Sequence, residues 1–339
     1  MYEVDFLPVG QGGRHGDAIA TRFTRPDTGH LAHVVIDAGF EQNGRDLVNH
    51  VKTYYGTRSI DLAILTHPDG DHIGGMGVVV RELDVGVLCV HRLGDRGGAG
   101  LPAADAVANL IQVAEQRGTT IHEPFAGSWA FGRALQILGP TSEWYAELVA
   151  AQQAEAAERA APRPASALLE AARRLGQQFL GGLPVEIPFD DAGGTNPRNN
   201  TSAITLLTVD GRRILFTADA GVPALDRGLD WLEGNGGDPT PPDFVQIPHH
   251  GSRRNVSSAV LDRLLGPTGQ PETKGAFVSV GPEAKKHPSP RVVNAFKRRG
   301  YKVYKTGGRP LCEPSDDTPP RAGWLPATPL EAMDESQED

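Results

Sequence analysis

Apolar and polar positions alternate over residues 2–7, which predicts a strand, and a glycine-rich turn at 9–16 separates it from a second apolar run beginning at Ala18-Ile19. A third strand is predicted at 33–36 and ends in Asp37-Ala38-Gly39. Leu47, Val51 and Tyr54 recur at helical spacing and mark a short amphipathic helix ahead of an apolar run, 62–65, that reads as a buried central strand. A helix at 73–83, a strand at 85–90 and a helix at 103–117 follow, the last carrying Ala106, Val107, Leu110 and Val113 on one face. Further strands are expected near 119–122 and 134–138. Runs 203–208 and 213–217 flank Asp210-Gly211 and predict a hairpin. A strand at 276–280 precedes a helix at 291–299. Strand and helix alternating around apolar runs predict an α/β or α+β sandwich.

Two stretches break this rhythm. Residues 142–182 are dominated by Ala, Glu, Gln, Arg and Leu, are interrupted at Pro162 and Pro164, and end at Gly181-Gly182, so two helices with a kink between them are expected. They form an insertion that either caps a site, binds a protein partner, or only adds bulk. Residues 311–339 are acidic and Pro-rich and read as a disordered tail. One domain, 1–310, is expected before it.

Length and composition narrow the class. The chain has 339 residues, 39% of them hydrophobic, enough for a sizeable core, and its 41 Gly and 27 Pro suit many turns between short elements. No run approaches the roughly 18 apolar residues of a membrane span, and the N-terminus lacks a basic, then apolar, leader pattern. A soluble, cytoplasmic protein is expected. Cys89 and Cys312 lie far apart without metal-ligand spacing. The net charge of -9 is uneven: residues 313–339 hold eight acids and one Arg, a net of -7, which leaves -9 + 7 = -2 for the rest. Residues 285–305 carry eight Lys or Arg and no acid, and Arg253-Arg254 add two more. Such a run is usually a solvated helix face; beside a catalytic centre it would hold phosphate.

The chemistry concentrates in Thr66-His67-Pro68-Asp69-Gly70-Asp71-His72, where two His and two Asp occupy six residues of turn-forming sequence. A helix cap would need one carboxylate and leave both His unexplained. His67 and Asp69, two apart, face one way, and Asp71 with His72 can serve a neighbouring point. Imidazole with carboxylate suits Zn2+, Mn2+ or Fe better than Mg2+ or Ca2+. A second cluster, Ile247-Pro248-His249-His250-Gly251-Ser252, follows an apolar run, and neighbouring His on extended backbone face opposite ways, so one of the two is expected to ligate, His250 or almost equally His249, and the other to support it or touch substrate.

His-Pro-Asp-x-Asp-His followed by Ile-Gly-Gly resembles the signature of the metallo-β-lactamase superfamily, in the form typical of ComEC-type DNA-uptake hydrolase domains. Gly10-Gln11-Gly12 with Asp17 resembles that family's glycine-rich motif, although Pro8 replaces an acid and Gly13-Arg14-His15 are inserted. Asn199-Asn200-Thr201-Ser202, Ala218-Asp219 and Pro-His-His-Gly-Ser follow in the family's order. The resemblance covers about residues 2–306 without the insertion. It implies a four-layer αββα sandwich, two divalent cations, Zn2+ or Mn2+, and hydrolysis by activated water. His67 and Asp69 would then hold one ion, Asp71, His72 and His250 the other, and Asp219 would bridge them. Asp37 and Asp17 would support the ligands by hydrogen bonding, and Asp71, His249 and His287 are the candidates for the catalytic steps. Asn200 stands where relatives supply a His, so it touches substrate or leaves a weaker first site. Asn200, Ser252, Arg253, Lys285 and Lys286 are the candidate substrate contacts. The other histidines, at 15, 30, 33, 50, 91 and 122, are expected to be structural or exposed.

The positive flank favours a phosphodiester, which makes DNA or RNA cleavage the leading expectation. A phosphoesterase on a small or cell-envelope substrate, such as a phosphorylcholine ester, is the second reading. A metal-stabilised interaction module without turnover is the third. Lactonase or β-lactamase chemistry fits less well, because those relatives usually carry His where Asp69 stands.

Overall fold

The computed structural model describes residues 1–10, 12–160, 189, 194–322, 324 and 326–337. Two seven-stranded sheets lie face to face. The first runs β14-β1-β2-β3-β4-β5-β6 and contains β1 (Tyr2–Phe6), β2 (Ala18–Thr24), β3 (Leu31–Ala38), β4 (Ser59–Ile64), β5 (Asp84–Cys89), β6 (Thr120–His122) and β14 (Leu311–Pro314). The second runs β13-β12-β11-β10-β9-β8-β7 and contains β7 (Trp129–Ala130), β8 (Leu135–Gly139), β9 (Ile204–Val209), β10 (Arg212–Phe216), β11 (Phe244–Gln246), β12 (Gln270–Val278) and β13 (Arg299–Lys305).

Alternation along the strands builds three cores. Ile19 and Phe23 of β2, Val34 and Ile36 of β3, and Leu207, Phe216, Phe244 and Phe277 of the facing sheet fill the space between the sheets. Ala18, Ala20 and Val35 point outward to α1 (Glu41–His50), α3 (Met76–Glu82) and α4 (Ala104–Gln116). On the other side Leu206, Leu215 and Val245 meet α5 (Ser142–Ala160), α6 (Val222–Gly234), α7 (Ser258–Leu265) and α8 (Pro290–Arg298). Helix, sheet, sheet and helix give the αββα sandwich expected. Among the described residues, no helix is long and apolar enough to cross a membrane.

Local departures have physical causes. A π-helical turn, Val51–Tyr55, follows α1 and adds a residue to the period, so Tyr55 rather than Tyr54 turns inward. The helix expected at 73–83 is broken into α2 (Gly70–Ile73) and α3, because Gly75 lies against Ala38 and Gly44, where a Cβ would meet the Ala38 carbonyl at 2.1 Å. The buried face of α4 is Val107, Leu110, Ile111 and Ala114, rotated from the expected one. Helices α6 and α7 were not anticipated, although Leu225, Leu229 and Leu232 have helical spacing. Only α5 represents the expected helical pair; residues 161–182, and any cap or partner surface on them, fall outside the described residues.

The tail is the main correction. Instead of disorder from residue 311, β14 pairs antiparallel with β1, and Ser315 and Thr318 bond to Tyr2. Arg321 then pairs with buried Glu3 and Asp5, both at 2.7 Å. Charge counting missed this because one Arg neutralises two carboxylates that the first strand buries.

Candidate metal centre

Parallel strands carry their C-terminal ends to one edge of a sheet. β3 and β4 do so in the first sheet and β10, β11 and β12 in the second, so five strand ends converge. The site residues leave from those ends. Asp37 ends β3, the His67–His72 loop follows β4, Asp219 follows β10, His249-His250 follow β11, and His287 lies beyond β12.

Asp219 sits at the middle of the arrangement, 3% exposed. Its Oδ2 lies 3.7 Å from His67 Nε2 and 3.6 Å from His249 Nε2. Its Oδ1 lies 3.6 Å from His72 Nε2 and 3.8 Å from His250 Nε2. Asp69 Oδ2 joins the first pair, 3.9 Å from His67, and Asp71 Oδ2 joins the second, 3.7 Å from His250. Ligand atoms of Asp71, His72 and His250, and of Asp17, His72 and Asp219, are close enough to share an ion. The Nε2 atoms of His67, His72 and His250 and Oδ1 of Asp219 are buried without a hydrogen-bond partner. Buried polar atoms that converge unpaired are costly, and a cation satisfies all of them together. The donor set therefore fits two divalent ions flanking Asp219.

Both halves of the histidine pair reach this point because the backbone is not extended. His249 and His250 have φ of 46° and 55°, in a 3₁₀ turn, and the left-handed pair of residues swings both rings inward. Asp37 (φ 53°) and Ala218 (φ 46°) share this uncommon conformation at the same site. His249 thus stands in the place expected of a ligand, opposite His67. Asn255 Nδ2 donates to the Asp219 carbonyl at 2.9 Å, which leaves Asn255 Oδ1 to accept from His249 Nδ1 at 2.9 Å and turns the Nε2 lone pair towards Asp219.

The supporting bonds are short and buried. Asp37 Oδ1 accepts the Thr66 N–H at 2.8 Å, and its Oδ2 accepts from the Thr66 hydroxyl at 2.6 Å and lies 2.7 Å from His72 Nδ1. Asp37 orients the loop through these bonds, and its ligand atoms also lie close enough to those of His67 and His72 to share an ion. Asp17, by contrast, has both oxygens buried and unpartnered 3.9 Å from His72 Nδ1, so it is a further donor candidate rather than a support alone. Arg198 pairs with Asp69 at 2.5 Å.

Electrostatics follow from this crowding. Burial works against the charge on Asp219, yet the four surrounding imidazoles hold its carboxyl well below the usual range. Burial likewise opposes ionisation of Asp71, but the nearby His250 and the charge of His72 bring it down to about 2. Burial and the neighbouring His72 push His67 well below its ordinary value, and that neutral form is the ligating one. Burial, the largest single influence, would lower His72 and His250, but the surrounding carboxylates together outweigh it: Asp219, Asp37 and Asp71 raise His72 well above its ordinary value, and Asp219, Asp71 and Asp17 raise His250 to about 9. Cation binding there releases protons.

Beside the centre opens a cavity of about 1010 Å3, lined by Ser252, Arg253, Arg254, Lys285, Lys286 and His287, with His249 at its inner end. These include all the expected substrate contacts except Asn200. The Asn200 carboxamide oxygen accepts the Gly221 N–H at 3.1 Å, and the residue is buried in that turn. Its neighbour Asn199 lines the cavity instead, its Nδ2 2.9 Å from His249 Nδ1. His15 is a second correction. Its ring lies 5.3 Å from that of His250 and 5.1 Å from that of His287, and its Nδ1 accepts the Gly281 N–H at 3.2 Å. Burial, then His250, lower His15 to about 4. The inserted Gly13-Arg14-His15 bring this ring in, and only their departure from the family's spacing could have signalled it.

A family model described as the metallo-beta-lactamase superfamily matches residues 29–268, and the chain belongs to that superfamily. Its members are mostly metal-dependent hydrolases that use divalent ions. Among solved structures the chain is similar to a metal-dependent hydrolase of the beta-lactamase superfamily, at 11% identity over 94% of this chain and 100% of that one, with a TM-score of 0.48. It is also similar to the CmlA beta-hydroxylase, at 14% identity over 92% of this chain and 53% of that one, TM-score 0.47. A diphosphatase of the PhnP family shares 11% identity over 82% and 87%, TM-score 0.36. No curated protein matches the chain.

Proposed function

We propose that this protein is a metal-dependent phosphodiesterase acting on nucleic acid. The observation that carries the reading is the cavity: four cationic side chains, Arg253, Arg254, Lys285 and Lys286, line the same space as His249 and His287, directly beside the candidate ligands. A phosphodiester needs that combination, with fixed positive charge for its non-bridging oxygens and a hydrolytic centre within reach. The ComEC-type form of the loop, His67-Pro68-Asp69-Gly70-Asp71-His72, supports the same reading.

His67, Asp69 and His249 would hold one ion and Asp71, His72 and His250 the other, with one oxygen of Asp219 directed to each. Zinc or manganese bound by these residues would supply the Lewis acidity for hydrolysis by water near neutral pH. The protein's own groups do the rest. Asp37 and Asn255 fix the tautomers of His72 and His249, so that each presents a lone pair at Nε2. Arg253 and Lys285 neutralise and orient the phosphate. His287, which lines the cavity, would donate a hydrogen bond to the leaving oxygen.

The test is to incubate purified protein with labelled single- and double-stranded DNA and RNA, and with bis-p-nitrophenyl phosphate, adding Mn2+ or Zn2+ in turn beside an Asp71→Ala/His72→Ala control. Metal-dependent cleavage of a polymer that the control lacks is expected. Cleavage of the small diester alone transfers the assignment to a small-substrate phosphoesterase. No cleavage of either, with metal bound, sinks the enzymatic reading.

A further inference from the structure

His15 reaches the centre on a loop that is clamped from two sides. On one side the loop packs on the turn after β12: the Gly12 carbonyl accepts the Glu283 N–H at 3.1 Å, and Gly281 lies so close that a Cβ there would come within 2.1 Å of the Arg14 carbonyl. On the other side it packs on the His67–His72 loop: the Asp17 N–H donates to the Asp71 carbonyl at 3.2 Å, and a Cβ on Gly16 would meet that carbonyl at 2.4 Å. The residues before and after His15 are thus held by loops of different sheets. The half-buried ring is fixed as well, because Nδ1 accepts the Gly281 N–H at 3.2 Å and the rings of His250 and His287 lie 5.3 and 5.1 Å away.

A ring nitrogen that accepts a backbone N–H carries no proton, so the one proton of the neutral imidazole sits on Nε2. This is the reverse of His249, where Asn255 places the proton on Nδ1 and frees the Nε2 lone pair for an ion. Nε2 of His15 therefore has no lone pair with which to ligate, and it has no hydrogen-bond partner among the described residues. We propose that His15 binds substrate: its Nε2–H donates to a non-bridging oxygen of the phosphodiester that reaches from the ion held by His250 to His287. The inference rests on the phosphodiesterase reading and adds to it a residue that the loop motifs do not supply. A neutral donor suits the place. An Arg or Lys about 5 Å from a divalent cation would be repelled by it, whereas the imidazole offers a directed N–H without charge. Being clamped, it needs no reorganisation as charge shifts on the phosphate.

The experiment uses the zinc-loaded chain as wild type, His15→Asn and His15→Gln. Asparagine keeps an acceptor for the Gly281 N–H but has nothing at the Nε2 position, and glutamine restores a neutral N–H there. For bis-p-nitrophenyl phosphate, kcat/KM is expected to fall about 10- to 100-fold in His15→Asn, the scale of one hydrogen bond to a charged group, and to recover to within about threefold of wild type in His15→Gln. Elemental analysis is expected to find the same ion content in all three. In proton–nitrogen NMR spectra, the His15 Nε2–H signal, identified by its absence from His15→Asn, is expected to move downfield as dimethyl phosphate is added to the wild-type chain. Full turnover in His15→Asn with a loss in His15→Gln would make His15 a loop anchor only, and an ion missing from His15→Asn would make it a ligand. An Nε2–H signal that ignores saturating dimethyl phosphate would place it away from the substrate. Each of these overturns the proposal, and the last is read on the wild-type chain, so it decides even if both substitutions disturb the loop. If no form hydrolyses any diester, the phosphodiesterase reading fails, while an Nε2–H signal that still follows dimethyl phosphate keeps His15 as a phosphodiester-binding donor.

Discussion

A single carboxylate, Asp219, makes the two halves of the site interdependent. Each of its oxygens faces two imidazoles, and each imidazole needs a bond at its far nitrogen to present a lone pair. His249 is the residue on which expectation and geometry differ most. On extended backbone it would point away from His250, but the left-handed turn aims both at Asp219. His249→Ala is therefore expected to lower metal stoichiometry as much as His250→Ala does, as read by elemental analysis after gel filtration; a variant that keeps two ions and loses only substrate affinity would return His249 to a contact role. Asp37→Asn keeps the shape but gives up the anion that faces His72 Nδ1, and a loss of about 10- to 100-fold in metal affinity is expected by competition with a chelator.

At the scale of elements, legibility followed distance along the chain. The candidate ligands in His67–His72 fall within one turn after a buried strand, so spacing alone pointed to them. The assignment of Asn200 slipped by one residue because the 3₁₀ turn Asn199–Thr201 sends consecutive side chains to different sides, Asn199 to the cavity and Asn200 to Gly221. His15 joins the site through packing of its loop on Gly281, a contact across 266 residues that no local pattern carries. β14 was hidden for the same reason, since its partner β1 lies at the opposite end of the chain. That strand has a measurable consequence. Burial pushes the Glu313 carboxyl on β14 from 4.5 up to about 7. Its folded value is thus the higher one, so its contribution to stability is fully present below about pH 4.5 and is lost as the pH rises through 7. Glu313→Gln is expected to match the wild type in urea unfolding at pH 4 and exceed it at pH 8 by about 1 to 3 kcal/mol; equal midpoints at pH 8 would refute the burial effect. Arg321→Ala, which leaves Glu3 only Arg22 and leaves Asp5 His50 and the Tyr55 hydroxyl, is expected to cost about 1 to 3 kcal/mol at neutral pH in the same assay.

Across the whole molecule, the two sheets contribute donors unequally but jointly. His67, Asp69, Asp71 and His72 come from the first, and Asp219, His249 and His250 from the second, so bound ions would bridge the sandwich at one edge. Without them, buried Asp17 and Asp219 and half-buried Asp69 and Asp71 crowd one space, their charge offset among the described residues by the imidazoles and Arg198. Chelation should therefore do more than remove activity. Stabilisation by a ligand that binds only the folded state grows as the logarithm of its concentration over Kd, and is about 3 to 4 kcal/mol at 100 to 1,000 times Kd. EDTA is expected to lower the unfolding free energy by that amount, read as a lower urea midpoint at unchanged slope, and to raise hydrogen exchange in the loops after β4, β10 and β11 together. The β1–β14 pair and the Asp210-Gly211 hairpin should be unchanged, because their cores are complete without the site. Exchange that rises in one sheet's loops alone would mean that the ions belong to a single sheet, and Asp219 would then not be a bridge.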